Sequence, residues 1–410
     1  MSELDRRRAL DRRPVLDRRQ ALRLLAAFGA GGVAASGLSA CSTGSRSPAV
    51  ESRSPIKVGL VAPRSGINKM IGDELINGFQ LYLALHDDTL GGRRVILVTA
   101  DEGGTAESGR AAVEKLIKQD RVTILTGIAG SATMDAVREV VESSQIPLIG
   151  SNASPTTLQG VRYIWRTSYV DDEPAKALGR YVSDKMRGGG VVALIAPADQ
   201  SGRDAIEGFR ATFGRSVGSE PVYTPVSSAP GSDFQPYLES IRRSNATAVF
   251  AFYSGGQAVE FVKQYRLFGV GQDLYAPAFL TEGVLLRDEG DNARGIYTSV
   301  NYSPDAANEA NRRFATAYQK TYNAIPTTYA VAAYDAGLVL DMAIGAAGGG
   351  EPSPQAINLA MGTLGSIDSP RGSWQFNQNR TPLQTWYLRQ VRPDGGVLAN
   401  VVLTELTTLG

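Results

Sequence analysis

Side chains that act as nucleophiles, proton carriers or metal ligands are scarce in this chain. Among its 410 residues there is one cysteine, Cys41, and one histidine, His86. His86 stands at a predicted helix end, where it can bond the last carbonyls, so triads, Cys-His pairs and histidine-rich metal sites are disfavoured. Asp101 and Glu102 follow a predicted strand, and strand-end capping or surface exposure explains them better than catalysis. No EF-hand or nucleotide motif occurs, so we expect no enzyme, metal or cofactor.

Cys41 closes the tetrapeptide Leu38-Ser39-Ala40-Cys41, shortly after an apolar run at 24–35. That run has about a dozen residues, whereas a membrane span needs about 20. An arginine-rich head precedes it, as in a secretory signal. The tetrapeptide resembles the lipobox of bacterial lipoproteins, in which the cysteine is acylated. We therefore predict a signal peptide at 1–40, an extracytoplasmic lipid anchor at Cys41 and a flexible tether at 41–54; a buried structural cysteine is the alternative.

The hexad Arg18-Arg19-Gln20-Ala21-Leu22-Arg23 looks like a twin-arginine export signal, with ordinary secretion as the alternative. Removal of residues 1–40 takes away eight arginines and four acids, which leaves 34 basic and 37 acidic residues. The mature chain is thus mildly acidic and keeps no basic patch for a nucleic acid. We expect no nucleic-acid partner.

Short apolar runs alternate with amphipathic helical segments along the mature chain. The predicted strands are residues 56–62, 94–100, 122–126, 147–149, 191–195 and 248–252, and the predicted helices include 78–85, 108–119, 134–141, 204–213 and 257–268. Continuous apolar strands between helices are typical of parallel sheets covered on both faces. The series restarts after about residue 172, and 370 residues exceed what one core usually organises. The sequence predicts an α/β protein with two doubly wound parallel-sheet lobes.

Several collinear strings in residues 55–400 resemble one family. They include VGLVAPRSGINKMIGDELINGFQLYLAL, AAVEKLIKQDRVTILTGIAGSA and TTYAVAAYDAGLVLDMAI. These strings resemble the type I periplasmic binding proteins, and more narrowly their branched-chain amino-acid-binding branch. The resemblance implies two lobes joined by three crossovers, with lobe one at 55–168 and 300–370 and lobe two at 169–299 and 371–410.

The same resemblance implies a function. It predicts a monomeric receptor that captures a small solute between two closing lobes and delivers it to an ABC permease of the branched-chain amino-acid type. A ligand-sensing module that signals to a membrane kinase or regulator would share this fold and is the alternative.

By resemblance, the ligand would meet loops after the strands of lobe one. These positions are Ser65 and Gly66 after the first strand, Ser131 and Ala132 after the third, and Asn152 and Ser154 after the fourth. Turn formation and helix capping explain each of these residues nearly as well. The family uses the serine at Ser131 and neighbouring N–H groups to receive a carboxylate.

Lobe two departs from the amino-acid-binding pattern. The expected Tyr-Gly is replaced around Ser201, Tyr253 stands near the position of a cleft tyrosine, and Phe279 falls near the acid that pairs with a ligand ammonium. Glu282 could supply that acid only after a shift in register. An ammonium buried without a partner costs several kcal/mol. We therefore predict a carboxylate-bearing solute with an apolar or aromatic body, and not a standard α-amino acid.

Overall fold

Two β-sheets flanked by helices carry the fold. The computed structural model describes residues 53–187, 189–214, 220–226, 231–348 and 350–410. The predicted signal peptide, Cys41 and nearly all of the predicted tether lie outside the described residues. All the described residues belong to one compact unit.

The first sheet is built from the amino-terminal part of this unit. Its strand order is β2-β3-β1-β4-β5-β6, and every pair is parallel except the short β2–β3 pair. The elements in chain order are β1 (Ile56–Ala62), α1 (Lys69–Leu85), β2 (Thr89–Leu90), β3 (Arg93–Asp101), α2 (Ala106–Lys118), β4 (Ile124–Gly127), α3 (Ser131–Ser144), β5 (Leu148–Gly150) and β6 (Ile164–Arg166).

The second sheet has a parallel half and an antiparallel half. Strands β8-β7-β9-β10-β11 run parallel, and β14, which pairs with β11, continues the sheet in antiparallel fashion. The elements up to β11 are α4 (Glu173–Lys185), β7 (Val192–Pro197), α5 (Gln200–Phe213), β8 (Val222–Thr224), α6 (Gln235–Arg243), β9 (Ala248–Ala251), α7 (Gly255–Leu267), β10 (Asp273–Pro277), α8 (Val284–Glu289) and β11 (Tyr297–Val300).

The carboxyl-terminal part contributes to both sheets. Its elements are α9 (Glu309–Tyr322), α10 (Thr328–Ala346), α11 (Pro354–Met361), β12 (Ile367–Ser369), β13 (Gly372–Phe376), β14 (Pro382–Asp394) and β15 (Val397–Leu409). Helix α10 packs on the first sheet and along α1, α9 contacts α1, and α11 contacts α10, while β12 to β15 extend the second sheet. The predicted lobe boundaries stay a prediction, and β12, inside the range predicted for lobe one, is joined through β13 to the second sheet.

The central strands are buried on both faces. All residues of β4, β5, β7 and β9 are buried, and β1 has only Lys57 exposed. Apolar runs of this kind can form only where helices cover the sheet on both sides, which is the parallel, doubly wound arrangement. The predicted fold class is confirmed, and each predicted strand and helix overlaps an observed one.

Helix α10 packs closely along α1. A Cβ added at Gly78 of α1 would overlap the carbonyl oxygen of Ala330, and one added at Gly337 of α10 would overlap the ring of Tyr82. Helix α10 is long and apolar enough to cross a membrane, but about two thirds of it is buried inside the protein. Its apolar length therefore serves the core of the first sheet.

Polar side chains connect the chain crossings between the sheets. Arg371, between β12 and β13, forms a fully buried ion pair with Asp335 of α10 at 2.8 Å and donates to Gln384 Oε1 at 2.8 Å. Gln384 in turn donates to the carbonyl of Ser168 at 2.8 Å and accepts from Asn301 at 2.9 Å. We call these five residues the hinge network, because they join the segments after β6 and β11 to the segments before β13 and within β14.

Candidate functional site

A cavity of about 230 Å³ lies between the two sheets. Residues that follow the carboxyl ends of strands from both sheets line it, such as Glu102 after β3, Asn152 after β5, Asp199 after β7 and Phe279 after β10. The edge at the carboxyl ends of parallel strands is where α/β proteins bind ligands. Ligand pockets for drug-sized molecules usually exceed about 300 Å³, so this cavity suits a smaller solute.

Several helix amino termini meet at the cavity. The lining includes Thr105 at the start of α2, Ser131 at the start of α3, Asp199 at the start of α5 and Ser254 at the start of α7. A helix start carries a partial positive charge and N–H groups without an intrahelical acceptor. No lysine or arginine lines the cavity in the part of the chain that the structure describes. Attraction for an anion would therefore come from backbone N–H groups and helix dipoles.

A hydrogen-bonded cluster around Asp171 bridges the cleft. The hydroxyl of Ser131 donates to Asp171 Oδ2 at 2.7 Å, and the hydroxyl of Ser201 lies 2.9 Å from Ser131 Oγ and 3.1 Å from Asp171 Oδ2. The N–H of Ser154 donates to Asp171 Oδ1 at 3.3 Å. Ser131 begins α3 beside the first sheet and Ser201 lies in α5 beside the second, so this cluster joins the two sides. Burial raises the pKa of Asp171 to about 7.

Glu102 holds the loop before α3. Its carboxylate accepts hydrogen bonds from the N–H groups of Ala129 at 2.7 Å and Gly130 at 2.9 Å. Glu102 is only 3% exposed. Burial raises the pKa of this carboxyl, and the two backbone bonds oppose the shift. Because Glu102 uses the two N–H groups just before α3, the first-turn N–H groups of Ser131 and Ala132 are left for a ligand.

Aromatic side chains form another part of the lining. Phe279 stacks on Tyr329 with ring centroids 5.6 Å apart and planes 12° apart, and it meets Phe252 edge-on at 6.0 Å. All three line the cavity and are almost fully buried. Such an arrangement can hold a flat apolar body by ring stacking and by exclusion of water.

The structure places five of the predicted site residues in the lining: Ser131, Ala132, Asn152, Ser201 and Phe279. The side-chain amide of Asn152 donates to the carbonyl of Ala129 at 2.7 Å, so this side chain also braces the loop before α3. A residue that lines the cavity does not thereby contact a ligand, so a ligand contact for these five residues stays a prediction.

Four predicted residues lie outside the lining. Ser65 and Gly66 are exposed and lie outside the cavity lining. Asn68, from the same loop, lines the cavity instead. Ser154 is completely buried behind the wall. Tyr253 packs in the second sheet's core with its hydroxyl 3.0 Å from Thr224 Oγ1. The preceding residue, Phe252, lines the cavity instead, because successive side chains of an extended segment face opposite sides.

Sequence reasoning missed several residues of the lining. The sequence favours strand-end capping or surface exposure for Glu102. In the structure Glu102 is buried and accepts hydrogen bonds from two backbone N–H groups. Asp171, Gln257 and Tyr329 were not singled out. Asp171 follows the mixed polar segment at 166–170, and Gln257 and Tyr329 stand in helical first turns, so none of the three carries a distinctive pattern. Glu282 is unavailable to a ligand ammonium, since it pairs with Arg389 at 2.6 Å.

Comparisons with known proteins agree with this architecture. The family profile described as "Periplasmic binding protein" matches residues 55–396. A relative from Brucella melitensis, Leu/Ile/Val-binding protein homolog 6, is 29% identical over 360 residues, which cover 84% of this chain and 90% of the relative.

Solved structures show the same similarity. A solute-binding protein of an ABC transporter from R. palustris, in complex with benzoate, is 29% identical with a TM-score of 0.77, covering 87% of this chain and 97% of the other. A second R. palustris solute-binding protein, in complex with 4-hydroxybenzoate, is 27% identical with a TM-score of 0.78 and the same coverage of each chain.

The family works outside the cytoplasm and is a family of transport receptors, not of enzymes. The predicted architecture of two doubly wound sheets with a ligand cavity between them is the type I arrangement. The chain therefore belongs to the periplasmic binding protein family and is a solute-binding protein of the ABC-transporter type.

Proposed function

We propose that this solute-binding protein captures a small carboxylate with an aromatic body, encloses it between the two sheets and delivers it to an ABC permease of the branched-chain amino-acid type. The observation that carries the proposal is the pairing, in one cavity, of helix amino termini with a stacked aromatic wall. The N–H groups at the helix amino termini suit the carboxylate of the ligand, and the aromatic wall suits its flat aromatic body.

The carboxylate would be received at the start of α3. The first-turn N–H groups of Ser131 and Ala132 are free of intrahelical acceptors, and no side chain caps this helix. Ser131 Oγ donates to Asp171, and Ser201 Oγ lies within hydrogen-bond distance of both. A ligand here would touch both sides of the cleft, so its binding energy would favour the closed arrangement over an open one.

An α-amino acid fits the cavity less well, because the acids Asp171, Glu102 and Glu282 are already engaged by groups of the protein. Asp171 already accepts from two hydroxyls and one N–H group, and both oxygens of Glu102 accept backbone N–H groups. Glu282 is held by Arg389. Phe279 occupies the position where the family carries an acid, and it offers only an apolar surface. The two R. palustris neighbours, crystallised with benzoate and 4-hydroxybenzoate, support the same ligand class.

Isothermal titration calorimetry with three ligands tests this proposal. Benzoate carries the proposed head and body, benzamide has the same shape without the charge, and leucine has the charged α-amino group. We expect benzoate to bind at least about tenfold more tightly than either, since a charge-assisted hydrogen bond is roughly twice as strong as a neutral one. Tight binding of leucine without binding of benzoate would refute the proposed ligand class.

We also propose attachment to the membrane through Cys41, with 1–40 as the cleaved signal peptide and 41–54 as the tether. The position of the cysteine after a short apolar run supports this proposal. A single acyl chain gives only marginal membrane binding, so a second chain on the same residue would be needed for stable attachment. Mass spectrometry of the amino-terminal peptide from membrane-extracted protein tests it, with diacylation of Cys41 as the expected result.

A further inference from the structure

A hydrogen-bonded pair outside the cavity joins the two sides of the cleft. The N–H of Thr156 donates to Asp204 Oδ2 at 2.9 Å, and the hydroxyl of Thr156 donates to Asp204 Oδ1 at 2.7 Å. Asp204 is 5% exposed, and neither residue belongs to the cavity lining. Hydrogen bonds to a carboxylate are stronger than those between neutral groups. The pair can therefore hold the two sides together without contacting a ligand.

Thr156 is fixed to the side of the first sheet. Its loop follows β5, and Leu158 of the same loop is buried in a core cluster with residues of β4, β5 and α3. The next residue, Thr157, donates to Asp135 of α3 at 2.6 Å, and Arg138 of α3 donates to the carbonyl of Thr157 at 3.1 Å. These contacts make the loop a firm extension of α3.

Asp204 is fixed to the side of the second sheet. It lies in α5, which follows β7, and the two residues after it, Ala205 and Ile206, are completely buried. Asp204 Oδ1 also accepts from Gln200 Nε2 at 2.8 Å, and Gln200 lines the cavity. Opening of the cleft would move α5 away from the loop after β5. It must therefore break the contact between Thr156 and Asp204, whereas the contacts within each side can persist.

We propose that Thr156 and Asp204 form a latch that stabilises the closed arrangement around any bound solute and so slows its release. This inference rests on the proposed function and adds to it a control of solute release. Because the latch does not line the cavity, it cannot distinguish one solute from another. Its loss should speed the release of every solute by the same factor, unlike the loss of a residue that contacts the ligand.

Stopped-flow displacement of bound benzoate and of bound 4-hydroxybenzoate from the mature chain tests the latch. Thr156→Val removes the hydroxyl bond, and Asp204→Asn leaves one acceptor oxygen in place of two. We expect each variant to release both ligands about fivefold or more faster than the unaltered chain, with factors that agree within about twofold between the ligands. Thr156→Val keeps the charge of Asp204, so its effect cannot come from a change in the charges near the cavity.

The double variant shows whether the two residues act as one contact. Thr156→Val combined with Asp204→Asn should accelerate release by much less than the product of the two single factors, because both changes weaken the same contact. Acceleration by the full product would mean that the residues act independently, which would contradict the latch.

Thr157→Val is the matched control. It removes a hydroxyl from the neighbouring residue of the same loop, but that hydroxyl bonds Asp135 on the same side of the cleft. This variant should leave both release rates unchanged within about twofold. Equal acceleration by Thr157→Val and Thr156→Val would show that the stability of the loop, and not the contact across the cleft, controls release. That result would refute the latch.

The outcomes separate the two proposals. If benzoate binds and either Thr156→Val or Asp204→Asn fails to speed its release, the latch is refuted while the proposed function stands. Release factors that differ by more than about threefold between the two ligands would also refute it. If no aromatic carboxylate binds and leucine does, the proposed function fails, and the release of leucine from the same variants decides the latch.

Discussion

The hinge network and the cavity treat buried acids in opposite ways. In the hinge, Asp335 is paired with the buried guanidinium of Arg371 at 2.8 Å. In the cavity, Asp171 is also buried, but its hydrogen-bond partners are hydroxyls and a backbone N–H group, and no lysine or arginine lines the cavity among the described residues. The charge of Asp335 is balanced by a cation of the protein, although Asp335 Oδ1 and Arg371 Nε have no hydrogen-bond partner among the described residues, whereas the cavity is left open to a ligand and to protons.

This difference explains how the hinge network can stay rigid while the cavity responds to a ligand. A second buried pair, Glu282 with Arg389, lies next to the aromatic wall and repeats the hinge pattern. Protein-supplied counter-charges fix the frame around which the two sides close. Asp171, whose pKa is raised to about 7, belongs instead to the cavity lining, whose polar groups a ligand can complete.

The largest expected effect comes from breaking the hinge pair. Arg371→Met removes the counter-charge of Asp335 and leaves this buried acid with only Ser369 and Trp374 as hydrogen-bond donors, which should lower the free energy of unfolding by about 3–5 kcal/mol. Urea denaturation of the mature chain measures it. The double variant Arg371→Met with Asp335→Leu removes both charges and should recover much of the loss.

An exposed ion pair gives the control for that experiment. Arg313 and Glu309 pair at 2.9 Å on the surface of α9, so Arg313→Met should change the unfolding free energy little. Equal destabilisation by Arg313→Met and Arg371→Met would show that the buried pair is no more important for stability than the exposed pair.

The next effect is on the aromatic wall of the cavity. Phe279→Ala removes the ring that stacks on Tyr329 and meets Phe252. We expect the affinity for benzoate to fall by about tenfold or more, because both area burial and aromatic stacking are lost. Calorimetry measures the loss, and Phe268→Ala, a change outside the cavity, is the control. An unchanged affinity would mean that the ligand body does not contact this wall.

A smaller effect is expected from pH, through Asp171. Its pKa is raised by burial to about 7, so the carboxyl is neutral below that value and charged above it. A charged Asp171 beside the start of α3 would repel a bound carboxylate. Affinity for benzoate should therefore rise, by up to about tenfold, as the pH falls from about 8 to about 6.

The variant Asp171→Asn separates this group from its neighbours. Burial also raises the pKa values of Glu102 and Asp199, which line the same cavity, and Asp204 adds a further negative charge near Asp171. Asp171→Asn keeps those three acids but removes the titrating group, so most of the pH dependence should disappear. A pH dependence of full size in the variant would assign it to the other acids.

The smallest effect on the cavity is expected from Cys41→Ser. This change removes the proposed acylation site, which lies outside the described residues, and should leave benzoate affinity unchanged while the protein is released from the membrane fraction. Membrane fractionation and calorimetry measure the two properties. Weakened ligand binding in Cys41→Ser would contradict the anchor interpretation.

Regular elements could be predicted from the sequence, because buried parallel strands leave continuous apolar runs such as 191–195. The resemblance to the family also indicated Ser131 and Ser201, which lie in the cavity lining, while their contact with a ligand stays a prediction. Tyr253 was misplaced by one residue, since the choice between two adjacent side chains depends on which face of the chain turns inward. Asp171 and Tyr329 depend on contacts between distant segments, which local patterns do not encode.

The most direct test of the central claim is native mass spectrometry of the ligand-free mature chain after incubation with an equimolar mixture. The mixture contains benzoate, 4-hydroxybenzoate, terephthalate, leucine and valine, and the mass retained on the protein identifies the preferred solute. The helix amino termini and the aromatic wall of the cavity predict retention of one of the two aromatic monocarboxylates, benzoate or 4-hydroxybenzoate. Retention of leucine or valine in preference to both aromatic monocarboxylates would contradict the account.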